Sequence, residues 1–83
     1  MSTHTIRLTI DATGLACPMP LLKAKQGLSQ LEPGEVLLLQ ATDPGSERDV
    51  IRFMELSEHT LVSHCRRGDV FEYILQRGEK TNP

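Results

Sequence analysis

Glu35-Val36-Leu37-Leu38-Leu39-Gln40-Ala41-Thr42 carries four large apolar residues in a row over a segment of strand length. Pro33-Gly34 precedes it and Asp43-Pro44-Gly45 follows it, so turns bound the run on both sides. An edge strand would alternate; an unbroken run predicts a central strand buried on both faces. Toward the N-terminus, Leu21, Ala24, Leu28 and Leu31 recur at helical spacing, with Lys23, Gln26 and Gln30 on the other side. That predicts an amphipathic helix from Pro18 or Pro20 to about Leu31, stopped by Pro33-Gly34. Ahead of it, Ala12-Thr13-Gly14-Leu15 turns the chain after an alternating strand from Thr5 to Asp11.

Toward the C-terminus, Ser46-Glu47-Arg48-Asp49 has the Ser-x-x-acid form of a helix start. Val50, Phe53, Met54 and Leu56 supply that helix with an apolar side. Leu61 to Arg66 and Val70 to Arg77 read as two strands joined at Arg67-Gly68-Asp69. The tail from Gly78 to Pro83 is polar and expected to fray. The order β-α-β-α-β-β predicts an α/β two-layer sandwich, a four-stranded mixed sheet with both helices on one face. The first two strands should run parallel through a right-handed crossover. With no Trp, one Tyr and two Phe, the other face is expected to stay partly open or be covered by a partner.

Eighty-three residues are read as one domain over 1–83, with an ordered core of about 5–77. So short a chain buries too little to enclose a large substrate, which moves the expected active feature to a surface or loop. Net charge is −2 and the basic residues are dispersed, which argues against direct contact with nucleic acid. No apolar run approaches the ~20 residues of a membrane span. Met1 to Thr5 lacks the basic start of a secretory signal, so the expected location is cytoplasmic. Two cysteines there are expected as free thiols.

The loops leaving the first two strands should meet at one sheet edge, where open α/β sheets place their binding sites. One carries Cys17 and the other Asp43. Cys17 precedes Pro18 and lies close to a helix start, where the dipole favours thiolate. Pro18 and Pro20 stiffen the loop but remove two N–H groups that would have solvated the anion. The expectation is a moderately activated, exposed thiol. Pro20 occupies the place of a second cysteine in a Cys-x-x-Cys redox motif, so an adduct on Cys17 has no resolving thiol in the loop. That suits a holder of a group better than an oxidoreductase. A small buried hydrophobe is the plainer role for such a cysteine, and its setting between a turn and two prolines weighs against it.

Asp11-Ala12-Thr13-Gly14-Leu15-Ala16-Cys17-Pro18-Met19-Pro20 resembles the signature of the TusA family of sulfur carriers. Pro33-Gly34-Glu35-Val36-Leu37 and Thr42-Asp43-Pro44-Gly45-Ser46-Glu47-Arg48-Asp49 continue the resemblance, which runs from about Thr9 to Gly78. It implies a sandwich like the C-terminal domain of translation initiation factor 3. It also implies that Cys17 takes sulfane sulfur as a persulfide, with Gly14, Pro18 and Pro20 supporting the motif. A cysteine desulfurase or rhodanese would be the donor, and a DsrE-like or other sulfur-accepting protein the acceptor. The pathways served would be tRNA thiolation, molybdenum-cofactor assembly or sulfur oxidation. Cys65 is outside that pattern.

No metal or organic cofactor is expected, because the cysteines and histidines lack zinc-site spacing. Cys65 and His64 are neighbours on a strand and should point to opposite faces. Asp43 is expected to cap its turn or the second helix, or else to meet a partner beside Cys17. Lys23, Lys25 and Arg48 are candidates for a cationic docking rim, although solvated helix faces look the same. Nothing in the sequence demands more than a monomer. Two other functions are weighed: a regulatory interaction module with a structural Cys17, and an RNA binder suggested by fold analogy alone, against which the net negative charge and few aromatics count.

Overall fold

The computed structural model describes residues 5–79. Its elements are β1 (Ile6–Ala12), α1 (Met19–Ser29), β2 (Val36–Ala41), α2 (Gly45–Leu56), β3 (Thr60–Arg67) and β4 (Val70–Gln76). One sheet orders them β1-β2-β4-β3, with β1 parallel to β2 and the other two pairings antiparallel. The architecture is the expected two helices on a four-stranded mixed sheet.

Register decides which side chains meet the helices. Leu8 pairs with Leu37 and Leu37 with Leu75; Ile10 pairs with Leu39 and Leu39 with Tyr73. These residues join Ala24, Leu28, Val50 and Met54 in one core. Gly27 lets α1 approach the sheet closely. A Cβ there would collide with Ile10 and lie 2.9 Å from Leu37 Cδ2. Helical periodicity alone had put only larger residues on that face.

On the other face β2 is half covered. Val36 is buried, while Leu38 and Gln40 remain partly exposed, so the apolar run is not buried on both sides along its length. Gln40, Glu72 and Arg67 form a polar chain across this open face. Gln40 donates to one Glu72 oxygen (3.1 Å) and Arg67 to the other (3.0 Å).

Three local expectations are corrected. Helix α1 ends at Ser29, two residues before Leu31, which still buries its side chain in the core. The Arg77 guanidinium ties off that end, donating to the carbonyls of Leu28, Ser29 and Leu31 where the helix dipole is negative. Ser46 does not cap α2. It lies inside the helix, buried, and its hydroxyl bonds the Tyr73 hydroxyl at 2.9 Å. The helix starts instead at Gly45, with Asp43 Oδ2 accepting the Gly45 N–H (2.9 Å). Leu56 belongs to solvent, 78% exposed at the end of α2, rather than to the core.

Among the described residues no helix is long and apolar enough to cross a membrane, and no cluster of His, Cys, Asp and Glu is placed to hold a metal ion. Of the polar tail, Gly78 and Glu79 are described, and residues 80–83 lie outside the described range.

Candidate functional site

The parallel pairing of β1 and β2 sends both of their following loops to one edge of the sheet. In the first loop, Asp11 Oδ1 accepts from the Thr13 N–H (3.0 Å) and hydroxyl (2.6 Å), which turns the chain. Those two bonds, the hydroxyl's first, hold the Asp11 carboxyl below its ordinary pKa. Gly14 takes φ +81°, a conformation that favours glycine, and its N–H donates to Thr42 Oγ1 at 2.8 Å. That bond stitches the loop after β1 to the loop after β2. Leu15 packs on the core and pins the loop from below.

Cys17 follows, exposed, with a cis peptide to Pro18. Pro18 is the N-cap of α1 and Met19 its first residue, so Cys17 lies one position outside the helix. The Met19 N–H bonds back to Ala16 O (2.9 Å), and Pro18 and Pro20 have none. Pro20 is buried and seats the first turn, whereas Met19 and Leu22 remain exposed beside the sulfur's loop.

The start of α2 lies against the same thiol. A Cβ built on Gly45 would be 3.9 Å from Cys17 Sγ. Two donors of this helix end are already in use: the Gly45 N–H goes to Asp43 Oδ2 and the Ser46 N–H to Asp43 O. One turn on, Asp49 Oδ2 accepts the S–H of Cys17.

These neighbours reverse the expected electrostatics. The Cys17 thiol is pushed up in pKa, first by its hydrogen bond to Asp49, then by desolvation and the charges of Asp49 and Asp43; Arg48 opposes them. The hydrogen bond to Asp49 and the charges of Asp49 and Asp43 outweigh the expected pull of the helix dipole. The arrangement favours the thiol over the thiolate, the reverse of the moderate activation expected.

The structure gathers Gly14, Cys17, Pro18, Pro20, Asp43 and Arg48 at this edge. Lys25 goes elsewhere. Its ammonium stands 5.2 Å from the Phe53 ring centroid, in a cleft at the other end of the helices with Leu28, His59 and Arg77. Lys23 is half-buried on α1, so the three cations do not form one rim. Cys65 is exposed on the open sheet face opposite Glu72, and His64 points the other way, stacked on Tyr73 at 6.4 Å between centroids.

Asp49 was not singled out as a site residue by sequence reasoning. Ser46 and Asp49 imitate a capping box, which hid the second role of the acid. The available clue was spacing. Gly45 and Asp49 are four apart on a helix and share a face, so a loop packed on one must meet the other.

The fold and sequence have relatives among known proteins. Residues 8–77 match the family described as Sulfurtransferase TusA. The "Putative sulfur carrier protein YrkI" of Bacillus subtilis (strain 168) is 36% identical over 69 residues, 83% of this chain and 92% of its own. A Neisseria meningitidis serogroup A protein of the same description is 40% identical over 68 residues, 82% of this chain and 92% of its own. The crystal structure of a SirA-like protein from Desulfitobacterium hafniense superposes with a TM-score of 0.75 at 28% identity, covering 87% of this chain and 99% of that one.

Proposed function

The chain belongs to the TusA sulfurtransferase family, and from that premise we propose that it is a sulfur carrier working through a persulfide on Cys17. The observation that carries this reading is the setting of Cys17. The sulfur is exposed on a loop pinned by Gly14, Leu15 and Pro20, with proline rather than a resolving cysteine three residues on.

In the proposed reaction the Cys17 thiolate attacks the terminal sulfur of a donor persulfide. The donor's S–S bond breaks, the new S–S bond forms on Cys17, and the proton released from Cys17 ends on the departing donor thiolate. The oxidation level is conserved, so no external oxidant or cofactor enters. Delivery repeats the step in the other direction, with an acceptor cysteine attacking the outer sulfur. A cysteine desulfurase or rhodanese fits the donor role and a DsrE-like or other thiol protein the acceptor role.

Partners would dock on the edge that displays the sulfur. Met19 and Leu22 offer exposed apolar surface there, and Asp43 and Arg48 offer charge. In this proposal the whole chain is one carrier domain acting as a monomer in the cytoplasm, where its two thiols stay reduced. The pathway would be chosen by the docking partner.

Incubation with a cysteine desulfurase and cysteine is expected to add one sulfur, about 32 Da, to the intact protein. Cys17→Ser should lose that gain and Cys65→Ser should keep it. A gain retained by Cys17→Ser overturns the proposal, and with it the role of Cys17 as more than a structural residue.

A further inference from the structure

The Asp49 carboxylate serves two neighbours at once. Its Oδ2 receives the Cys17 S–H and its Oδ1 lies 3.9 Å from the Arg48 guanidinium. The two charges differ in freedom, because the Asp49 side chain is 24% exposed and that of Arg48 is 87% exposed. Asp43, from the loop after β2, brings a second negative charge toward the same sulfur. A thiolate on Cys17 would face both carboxylates with one solvated cation for relief. Repulsion at contact distance therefore favours the protonated thiol. Attack on a persulfide needs the thiolate. The free carrier thus holds its nucleophile in the unreactive form, chiefly through Asp49, which is the carboxylate bonded to the thiol.

Resting on the reading of Cys17 as the sulfur-bearing residue, we propose that Asp49 is a lock on that thiol. It is a positioning residue that retains the S–H in the free carrier and lets go when a partner sets a lysine or arginine beside it. A cation at Asp49 competes for the same Oδ2 lone pairs and cancels the repulsion, so ionisation becomes favourable only inside the docked complex. The partner class follows from charge: a protein whose reactive cysteine is flanked by basic side chains. The same device keeps the idle carrier from reacting with stray disulfides and oxidants.

Two measurements on the Cys65→Ser background, which leaves one thiol, test the lock. The first follows iodoacetamide alkylation of Cys17 against pH. Asp49→Asn is expected to move the midpoint to lower pH. A larger thiolate fraction, offset in part by weaker nucleophilicity, should speed alkylation about threefold near neutral pH. Arg48→Ala should move the midpoint the other way. The second compares cystamine, a disulfide with two ammonium groups, with uncharged bis(2-hydroxyethyl) disulfide. Cys17 thiolate attacks one sulfur, the S–S bond breaks, and the leaving thiolate takes the proton.

The preference for cystamine should fall about two- to threefold in Asp49→Asn, the scale of one unit-charge contact across a few ångström of water. Midpoints unmoved in both variants overturn the lock. Moved midpoints with an unchanged preference between the disulfides overturn release by a cation. If Asp49→Asn folds poorly, the opposite shift in Arg48→Ala still decides the first point. Neither assay contains a sulfur donor, so the lock can fail while Cys17 gains the sulfur mass, and the mass gain can fail while the lock holds.

Discussion

Cys17 and Cys65 are both exposed and both stand by a carboxylate, yet the two carboxylates are partnered differently. Cys65 lies in β3, and its neighbour Glu72 is held on its two oxygens by Arg67 and Gln40, with the Cys65 S–H reaching the Arg67-bound oxygen only at 3.9 Å. Cys17 lies on a loop where Pro18 and Pro20 lack an N–H and the Met19 N–H goes to Ala16 O, and Asp49 turns to it directly. The Glu72 carboxylate is bonded by Gln40 and by Arg67 at 3.0 Å, whereas the Asp49 carboxylate has its arginine at 3.9 Å and receives the thiol. Exposure and a nearby acid are thus common to both cysteines. What separates them is the tertiary contact between α2 and the loop after β1.

The largest way to disturb that contrast is to loosen α2. The Tyr73 hydroxyl holds buried Ser46 in the first turn of the helix, one turn from Asp49. Tyr73→Phe leaves a buried hydroxyl without that partner and is expected to cost about 1–3 kcal/mol, read as a lower urea midpoint. Alkylation of Cys17 should change with it. An unchanged Cys17 profile in a destabilised protein would mean that Asp49 reaches the sulfur whatever the seating of the helix.

A smaller effect comes from the hairpin. Arg67→Ala removes an exposed pair and should change stability by less than about 1 kcal/mol. It also frees a charge on Glu72 beside Cys65. Alkylation of Cys65 is expected to slow while Cys17 keeps its rate, so the hairpin cysteine comes to resemble the loop cysteine. If Cys65 does not respond, the 3.9 Å separation is too long for the acid to matter.

The smallest expected effect is on stability against pH, where the two regions should have opposite signs. The Cys17 pKa is raised in the folded chain, led by the bond to Asp49. Its contribution is therefore complete below the ordinary thiol range and is lost as pH rises through the elevated value. Glu72 is lowered, led by the bond from Gln40, so its contribution is present above the ordinary carboxylate range and is lost as pH falls through the depressed value. Asp49→Asn should flatten only the alkaline limb of a urea-midpoint profile and Glu72→Gln only the acid limb. Both variants acting on one limb would show that the regions are not independent.

Most of the architecture was legible because hydrophobic periods of two and 3.6 residues follow from burying one face of a strand or helix. The run Val36 to Leu39 marked the strand that lies between two others, and the turn residues on either side marked its ends. The meeting of the Cys17 and Asp43 loops followed from parallel pairing alone. Local patterns misled where a tertiary partner took the group they assigned. Ser46 has the right spacing for a cap but is drawn inward by Tyr73, and Leu56 continues an apolar stripe past the point where the sheet can cover it. Arg77 and Gly27 act through residues distant in sequence, so no local window could have shown them. The charge state of Cys17 was misjudged for the same reason. The helix dipole is a local property, whereas Asp49 arrives from 32 residues away.

The central claim is that the mobile sulfur resides on Cys17 and not on Cys65. After loading with a desulfurase and cysteine, alkylation to trap persulfides and digestion with trypsin, the two thiols fall in separate peptides, Leu8–Lys23 and Phe53–Arg66. The extra sulfur, about 32 Da beyond the alkylated thiol, is expected on Leu8–Lys23 and not on Phe53–Arg66. Sulfur recovered on Phe53–Arg66, with Leu8–Lys23 unmodified, would contradict the account.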